Sequence, residues 1–379
     1  MLDLRSLLEQ LVAIESINPE LVPGGSGEGE IARFIASWLS EAGLEVSVEE
    51  VRPGRPNVIG IARGTGGGRS LMLNGHMDTV GVSGMSDPYR PRIEGNRLYG
   101  RGSYDMKAGL AACMMAAAQA KQKRLAGDVI VTAVIDEEYG GIGTMAVAEK
   151  YRADAAIIAE PTEMELVIAH KGFTWVEIET HGIAAHGSRP DLGVDAIAKM
   201  GRVLVEVDKL GQQLLANPTH PLLRSGSLHA SLISGGQELS SYPQRCVLSI
   251  ERRTLPGESP EQVEAEFQSI LDEIGRSDPA FRATLRRGLY LAPMETSAES
   301  PIAQLVTSHA TRILGQTPHA VGVPYWTDAS TLSQVGIPSL LFGPRGTGAH
   351  AIEEWVDLRS VEECVEIYLG VASDLCRNM

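Results

Sequence analysis

Cysteine is scarce in this chain of 379 residues, and the four present, Cys113, Cys246, Cys364 and Cys376, are scattered without a C-x-x-C pair. That argues against a disulfide framework and a zinc–thiolate site, and it suits a reducing compartment. Long apolar runs are missing too. No stretch approaches the ~18 uncharged apolar residues of a membrane-spanning helix. The opening MLDLRSLLEQLVAIESI interrupts its leucines with Asp3, Arg5, Glu9 and Glu15, so it reads as an amphipathic helix and not as a secretory leader. The expectation is a cytoplasmic protein without membrane association. Positive charge is in deficit: 33 Lys+Arg stand against 48 Asp+Glu, a formal net charge of −15. Nucleic acid and anionic lipid both need a dense field of basic residues, so neither is expected as a partner. No internal repeat is found, and the turn-like GTGGGRS at 64–70 comes nearest to low complexity.

What is present is an ordinary soluble composition, 43% hydrophobic and 21% charged. The chain exceeds the roughly 250–300 residues at which single cores stop growing, so two domains are expected. Residues 28–42 and 106–124 have helical patterns, and short apolar runs lie at 57–62, 70–74, 128–135 and 154–159. Apolar strands separated by helices indicate an α/β layer with a buried sheet. From 172 the rhythm changes to β-α-β-β-α-β, with strands at FTWVEIETH, 226–233, 246–252 and 281–287 and helices near 193–211 and after Ser259-Pro260. Residues 300–379 then resume the first pattern. The simplest architecture is one α/β domain (1–171 and 290–379) interrupted by an inserted α+β domain (172–289).

Several acidic and histidine positions lie just beyond apolar runs, where open α/β sheets place ligands. In LMLNGHMDTV, His76 and Asp78 share a face if the strand runs through them, and a carboxylate can then orient a metal-bound imidazole; a solvated turn is the plainer reading. Asp105, in GRGSYDMKAG, opens the long helix and taken alone is an N-cap. Asp136, Glu137 and Glu138 are consecutive acids after the strongest apolar strand, either an exposed charged turn or a cluster that cations must neutralise. Glu160 ends another strand in IIAEPTE, and the glycine-rich GPRGTG leads to His350. Imidazole with carboxylate and no thiolate suits Zn²⁺, Co²⁺ or Mn²⁺. A two-metal site further needs a bridging carboxylate and a free one to take a proton from water. The loop 343–348, through Gly346 and Gly348, offers backbone N–H groups to a substrate carboxylate. It lacks the strand–helix context and the lysine of a phosphate loop, so a nucleotide is not expected there.

These motifs resemble the metallopeptidase and deacylase family of acetylornithine deacetylase, succinyl-diaminopimelate desuccinylase, aminoacylase and carboxypeptidase G. The resemblance covers essentially the whole chain and rests on GHMDTV, GRGSYDMKAG, DEEYGGIGT, EPTE, AHGSRPDLGVDAI, RRTLPGE and GAHAIEEW, in that order. It implies a zinc-peptidase-like α/β domain with a mixed sheet, interrupted by a ferredoxin-like α+β dimerisation domain. By matching position, it implies that His76 binds the first of two divalent ions and Asp78 orients it. Asp105 bridges both ions, Glu160 completes the first site, and Glu138 and His350 complete the second. Glu137 is the implied general acid/base. His186, in AHGSRP, is implied to reach into the partner subunit and stabilise the oxyanion, and Arg253 to fork onto a substrate carboxylate. Its neighbour Arg252 is expected to face solvent, because adjacent strand residues point to opposite faces. His181 is read as structural. Ser240 stands where many relatives have Asn, which puts contacts to the substrate backbone in question, and Ala108 replaces a common Gly with little consequence. The implied function is removal of an acyl group from an N-acyl amino acid by a homodimer joined through the inserted domain. The alternatives are a dipeptidase or carboxypeptidase with the same chemistry, and a metal-binding scaffold without catalysis.

Overall fold

The computed structural model describes residues 3–377. They form two compact units: residues up to Ile168 with Glu295–Gly322 and those from Thr327 onward, and Ala169–Met294 with Val323–Trp326. The boundaries lie a few residues from those expected at 171/172 and 289/290. The last strand of the second unit runs on to Leu291, paired with Phe173, and the short segment 323–326 joins that unit.

In the first unit the chain runs α1 (Leu4–Ala13), α2 (Gly29–Glu41), β1 (Glu45–Arg52), β2 (Arg55–Ala62), β3 (Leu71–His76), β4 (Arg92–Glu94), β5 (Arg97–Tyr99), α3 (Lys107–Lys123), β6 (Val129–Val134), α4 (Ile142–Lys150), β7 (Ala155–Ile158) and β8 (Leu166–His170). The second unit holds β9 (Gly172–His181), α5 (Ala196–Ala216), β10 (Ser227–Gly235), β11 (Arg245–Thr254), α6 (Pro260–Ser277) and β12 (Ala283–Leu291). The chain then adds β13 (Met294–Glu295), α7 (Pro301–Leu314), β14 (Ala320–Val323), α8 (Ala329–Gln334), β15 (Ser339–Leu341), β16 (Gly346–Thr347), β17 (Trp355–Asp357) and α9 (Leu358–Leu375). Among the described residues, no helix is long and apolar enough to cross a membrane.

The large sheet is mixed, in the order β1-β2-β6-β3-β7-β15-β8-β13, with β14 on β8. Strands β6, β3, β7 and β15 are parallel. Their carboxyl ends therefore share one edge, which gathers His76, residues 136–138 and Glu160. Strands β3, β6 and β7 are buried on both faces, which is why they read as continuous apolar runs. Helix α3 packs against the sheet on one side and α1 and α9 on others, so 13 of its 17 residues are buried. Small side chains make that close approach possible. A Cβ at Gly109 would lie 1.9 Å from the carbonyl oxygen of Ala159, so α3 can sit against the end of β7 only with glycine there.

A small second sheet, β16-β17-β5-β4, was not expected from the sequence. Strand β17 pairs antiparallel with β5, Trp355 opposite Tyr99. The chain leaving β5 toward Asp105 and the chain entering β17 from His350 thus meet at one end of that sheet.

The second unit is one four-stranded antiparallel sheet, β10-β11-β9-β12, with α5 and α6 on one face. Helix α6 opens on a capping box in which Ser259 and Gln262 exchange side-chain and backbone bonds, with Pro260 in the first turn. Its core joins Val176, Ile178, Met200, Val203, Leu248, Ile250 and Phe267. The expectation for Arg252 is corrected here. It does leave the sheet opposite Arg253, but α6 covers that face, and Arg252 is fully buried between Glu258 and Glu266.

Candidate metal centre

His76 is the last residue of β3 and is buried. Its Nδ1 lies 2.8 Å from the backbone carbonyl oxygen of Asp78. A carbonyl only accepts, so Nδ1 keeps its proton; Nε2, which faces Asp105 and donates to it in the metal-free protein, is the nitrogen that would turn its lone pair to a cation. The Asp78 carboxylate, expected to orient the ring, is farther from it at 3.5 Å. The strand ends at His76, so the side chain of Asp78 turns elsewhere: it accepts the backbone N–H groups of Glu137 and Glu138, both at 3.2 Å, and the Asn18 amide at 2.7 Å. Asp78 thereby orients the histidine through its backbone and the two glutamates through its carboxylate.

Around Nε2 of His76 stand Asp105 Oδ1 at 3.3 Å, Glu160 Oε1 at 3.8 Å and Glu137 Oε2 at 4.0 Å. The other oxygen of Asp105 lies 3.4 Å from His350 Nε2, which also approaches Glu138 Oε2 to 3.0 Å. Asp105 does not cap α3: the helix begins at Lys107, across a cis peptide at Met106, and the capping position makes no side-chain bond. Its carboxylate is thus free to stand between two imidazoles. The six expected residues His76, Asp105, Glu137, Glu138, Glu160 and His350 come together from five separate stretches of chain.

Two donor groups could each hold an ion, His76 with Glu137 and Glu160, and His76 with Asp105 and Glu138. The residues fit divalent cations on a further ground. Glu138 Oε1 and Glu160 Oε1 are buried and have no hydrogen-bond partner, a costly state for a carboxylate unless a cation faces it. The charges respond to each other. Burial, then the carboxylate of Glu160, pushes the Glu137 carboxyl well above the ordinary glutamate range, with His76 pulling the other way. Burial raises Asp105 too, but hydrogen bonds from His350 and His76 overcome it and hold the group below the usual range. His350 is pushed up to about 10 by its bonds to Asp105 and Glu138.

Asp136, the first of the three consecutive acids, does not join them. Arg55 pairs with it at 3.1 Å and makes two bonds of 2.7 Å to Glu28, while Asn18 links Asp136 to Asp78. Asn18, Glu28 and Arg55 were missed by the sequence reading; nothing in local pattern marks them. Asp328, also missed, is buried and accepts the Thr144 hydroxyl at 2.8 Å, with its carboxyl pushed up to about 7 by burial.

The expectation for Gly346 is corrected. Gly346 lies in β16, and its N–H already donates to Glu163 at 3.0 Å, so it is not available to a ligand. Gly348 has φ +91° and a Cβ there would sit 1.9 Å from the Glu353 carbonyl oxygen, so glycine is required by packing.

His186 and Arg253 belong to the second unit. His186 is exposed on a loop, and its Nδ1 receives the backbone N–H of Ser188 at 3.2 Å. An N–H only donates, so the neutral ring carries its proton on Nε2. Gly187 donates to the Ser240 carbonyl at 2.7 Å, so the residue that departs from the family pattern braces this loop through its backbone. Arg253 lies over the Phe173 ring at 5.0 Å and donates from Nε to Glu251 at 2.7 Å. His181 contacts Thr284 on the neighbouring strand.

The family described as peptidase family M20/M25/M40 matches residues 72–374. The chain belongs to that family. It is accordingly a metal-dependent hydrolase of amide bonds, a deacylase or peptidase. It is 29% identical over 387 residues to acetylornithine deacetylase of Myxococcus xanthus, covering 98% of this chain and 97% of that one. It is 28% identical to N-formyl-4-amino-5-aminomethyl-2-methylpyrimidine deformylase of Bacillus subtilis, covering 99% and 95%. Its fold matches that of a dinuclear metal binding peptidase of the M20 family from Bacillus subtilis with a TM-score of 0.77 at 17% identity, covering 99% of this chain and 98% of the other.

Proposed function

We propose that this member of the family removes a short acyl group from N-acyl amino acids, using a pair of divalent ions, zinc foremost, with cobalt or manganese as substitutes. The observation that carries the reading is the Asp105 carboxylate shared between His76 and His350, with unpartnered buried oxygens of Glu160 and Glu138 on either side. His76, Asp105 and Glu160 would hold one ion, and Asp105, Glu138 and His350 the other. Ions bound there supply Lewis-acid polarisation and lower the pKa of water to about 7.

Glu137 is the general acid/base. It is placed beside the ligand set by its backbone bond to Asp78, and its burial favours proton uptake. It takes a proton from the attacking water and returns one to the leaving amine. His186, with its proton on Nε2, is a donor suited to the oxyanion of the tetrahedral intermediate. Arg253 binds the substrate carboxylate through its terminal nitrogens, its Nε being held by Glu251. The names of the two curated relatives, a deacetylase and a deformylase, support small acyl groups.

The trans role of His186 requires a homodimer joined through the second unit. An exposed edge strand supports it: β10 lies at the end of its sheet and exposes Leu232 and Ile233, and α5 beside it exposes Ile197, Val205 and Leu215. Cysteine usage favours the cytoplasm. The test is turnover of N-acetyl, N-formyl and N-succinyl amino acids against dipeptides with a free amine, before and after chelation and with Zn²⁺ or Co²⁺ restored. Cleavage of dipeptides alone overturns the deacylase reading in favour of a peptidase. Activity that survives exhaustive chelation overturns the metal reading, and metal binding with no hydrolysis of any amide favours a scaffold.

A further inference from the structure

Glu354 lies four residues beyond His350, just before β17, and is buried, with its side chain sealed from solvent. No step of the chemistry above uses it. Its carboxylate is nevertheless fully engaged. Oε2 accepts Arg101 Nη1 at 2.6 Å and the Gly102 N–H at 2.9 Å. Oε1 accepts the N–H groups of Tyr104 at 2.9 Å and Asp105 at 3.0 Å. The loop 101–105 is thus wrapped around one buried anion, three of its backbone N–H groups converging on it. The last of those groups is that of Asp105 itself.

The other end of the arrangement reaches His350. Arg101 donates from Nη2 to the carbonyl oxygen of Ala351 at 2.9 Å, next to His350, and Gly100 donates to the Glu354 carbonyl at 3.1 Å. One ion pair, Arg101–Glu354, therefore spans the two segments whose side chains meet 3.4 Å apart at Asp105 and His350. His350 has φ +62°, a conformation that surrounding contacts must hold. We propose that Glu354 is a positioning residue for the dinuclear site, acting through Asp105 and, by way of Arg101, through His350. This rests on the proposed role of Asp105 as the shared ligand.

Glu354→Gln keeps the shape but replaces one acceptor oxygen by a donor, which then faces two donors. Metal binding by the full-length protein is the readout, measured by competition with a chromophoric chelator, by ion content after equilibrium dialysis and by the visible spectrum of the Co²⁺ form. Partners that orient metal ligands are typically worth about 10–100-fold in affinity, and a loss of that size at both sites is expected for Glu354→Gln. Arg101→Lys keeps a cation at Glu354 but drops the bond to Ala351, and it should weaken binding in the same direction. It serves also if the first variant fails to fold. Val306→Ala, in the buried face of α7, is the control for stability lost elsewhere and should bind metal as the wild type does. Unchanged affinity in whichever of the first two variants folds overturns the proposal, as does an equal loss in Val306→Ala. A wild-type protein that holds no ions overturns the proposed function itself. Two ions in the wild type with unaltered Glu354→Gln overturns this inference alone.

Discussion

Asp136 is paired with Arg55, its Oδ1 lying 3.1 Å from the guanidinium. The first of three adjacent acids is therefore paired with an arginine that it shares with Glu28, and the next two are left for the histidines. Asp136 itself has φ +67°, and the N–H groups of Tyr139, Gly140 and Gly141 all point to its carbonyl oxygen. The turn that carries both Glu137 and Glu138 is built on it. Arg55 holds this turn and the start of α2 together through Glu28, which sits just before the helix.

The first prediction follows from that arrangement. Arg55→Met leaves the Glu28 and Asp136 carboxylates buried without their cation. Breaking a buried pair from one side typically costs about 3–5 kcal/mol. The metal-free variant should show a loss of that size in urea unfolding, and adding Glu28→Gln should restore part of it. A loss below about 1 kcal/mol, the range of surface pairs, would show that the network is dispensable.

Glu137 separates metal binding from chemistry. Glu137→Gln should retain two ions per chain while kcat falls by about 10²–10⁴-fold, the usual contribution of a positioned acid/base. Ion content and kcat measured on the same preparation check it. Near-normal kcat would sink the assignment.

The strand-end histidine and acids could be read from the sequence because their signal is local: an apolar run stops and a ligand-type residue follows, as at His76, Glu137 and Glu160. The helix opening at Ser259-Pro260 was readable for the same reason. Arg55, Glu354 and Asn18 were not, because each is defined by a partner dozens to hundreds of residues away, and an isolated arginine or glutamate has the same local pattern whether buried or solvated. Arg252 failed in another way. Strand alternation correctly sets it opposite Arg253, but whether that face meets water depends on α6. Strand β1, with its charged EVSVEEVR, and the two- and three-residue strands of the small sheet lack an apolar run to mark them; β8, an apolar LVIAH, was missed although it has one.

The raised pKa of His350 is one source of pH dependence in the metal-free protein. Its hydrogen bonds to Asp105 and Glu138 carry the ring from an ordinary 6.5 up to about 10. A group raised on folding contributes stability that is complete below its unfolded pKa and is lost as pH rises through the folded one. The advantage of wild type over His350→Gln should therefore be greatest near pH 6 and disappear by about pH 10. Asp105 moves the other way, so its contribution is present above the ordinary 3.8 and lost as pH falls. Urea midpoints of metal-free wild type and His350→Gln from pH 6 to 10 test the first sign, and those of wild type and Asp105→Asn below pH 4 test the second. Metal ligation needs the neutral ring, so Zn²⁺ binding near pH 7 should release protons and tighten as pH rises. Titration calorimetry in buffers of different ionisation enthalpy measures that release, and none would mean that His350 is not a ligand.

Gly348 offers the last test, because the segment carrying His350 depends on it. Its φ of +91° lies where a side chain is strained, and a Cβ would press to 1.9 Å from the Glu353 carbonyl oxygen, which is backbone and cannot swing aside. Gly348→Ala must therefore shift the 348–354 loop or distort it, at a cost of about 1–3 kcal/mol. The displacement falls between His350, which would hold the second ion with Asp105, and Glu354, the residue proposed to position both. The expected outcome is a small fall in metal-free stability together with a larger, selective loss of the second ion, seen as one ion per chain after dialysis. Gly315→Ala, in the left-handed turn that ends α7 with open space around it, carries the backbone strain without the clash and should keep both ions. If Gly348→Ala also keeps both, the loop tolerates the shift and the position of His350 is set by its own side-chain bonds to Asp105 and Glu138.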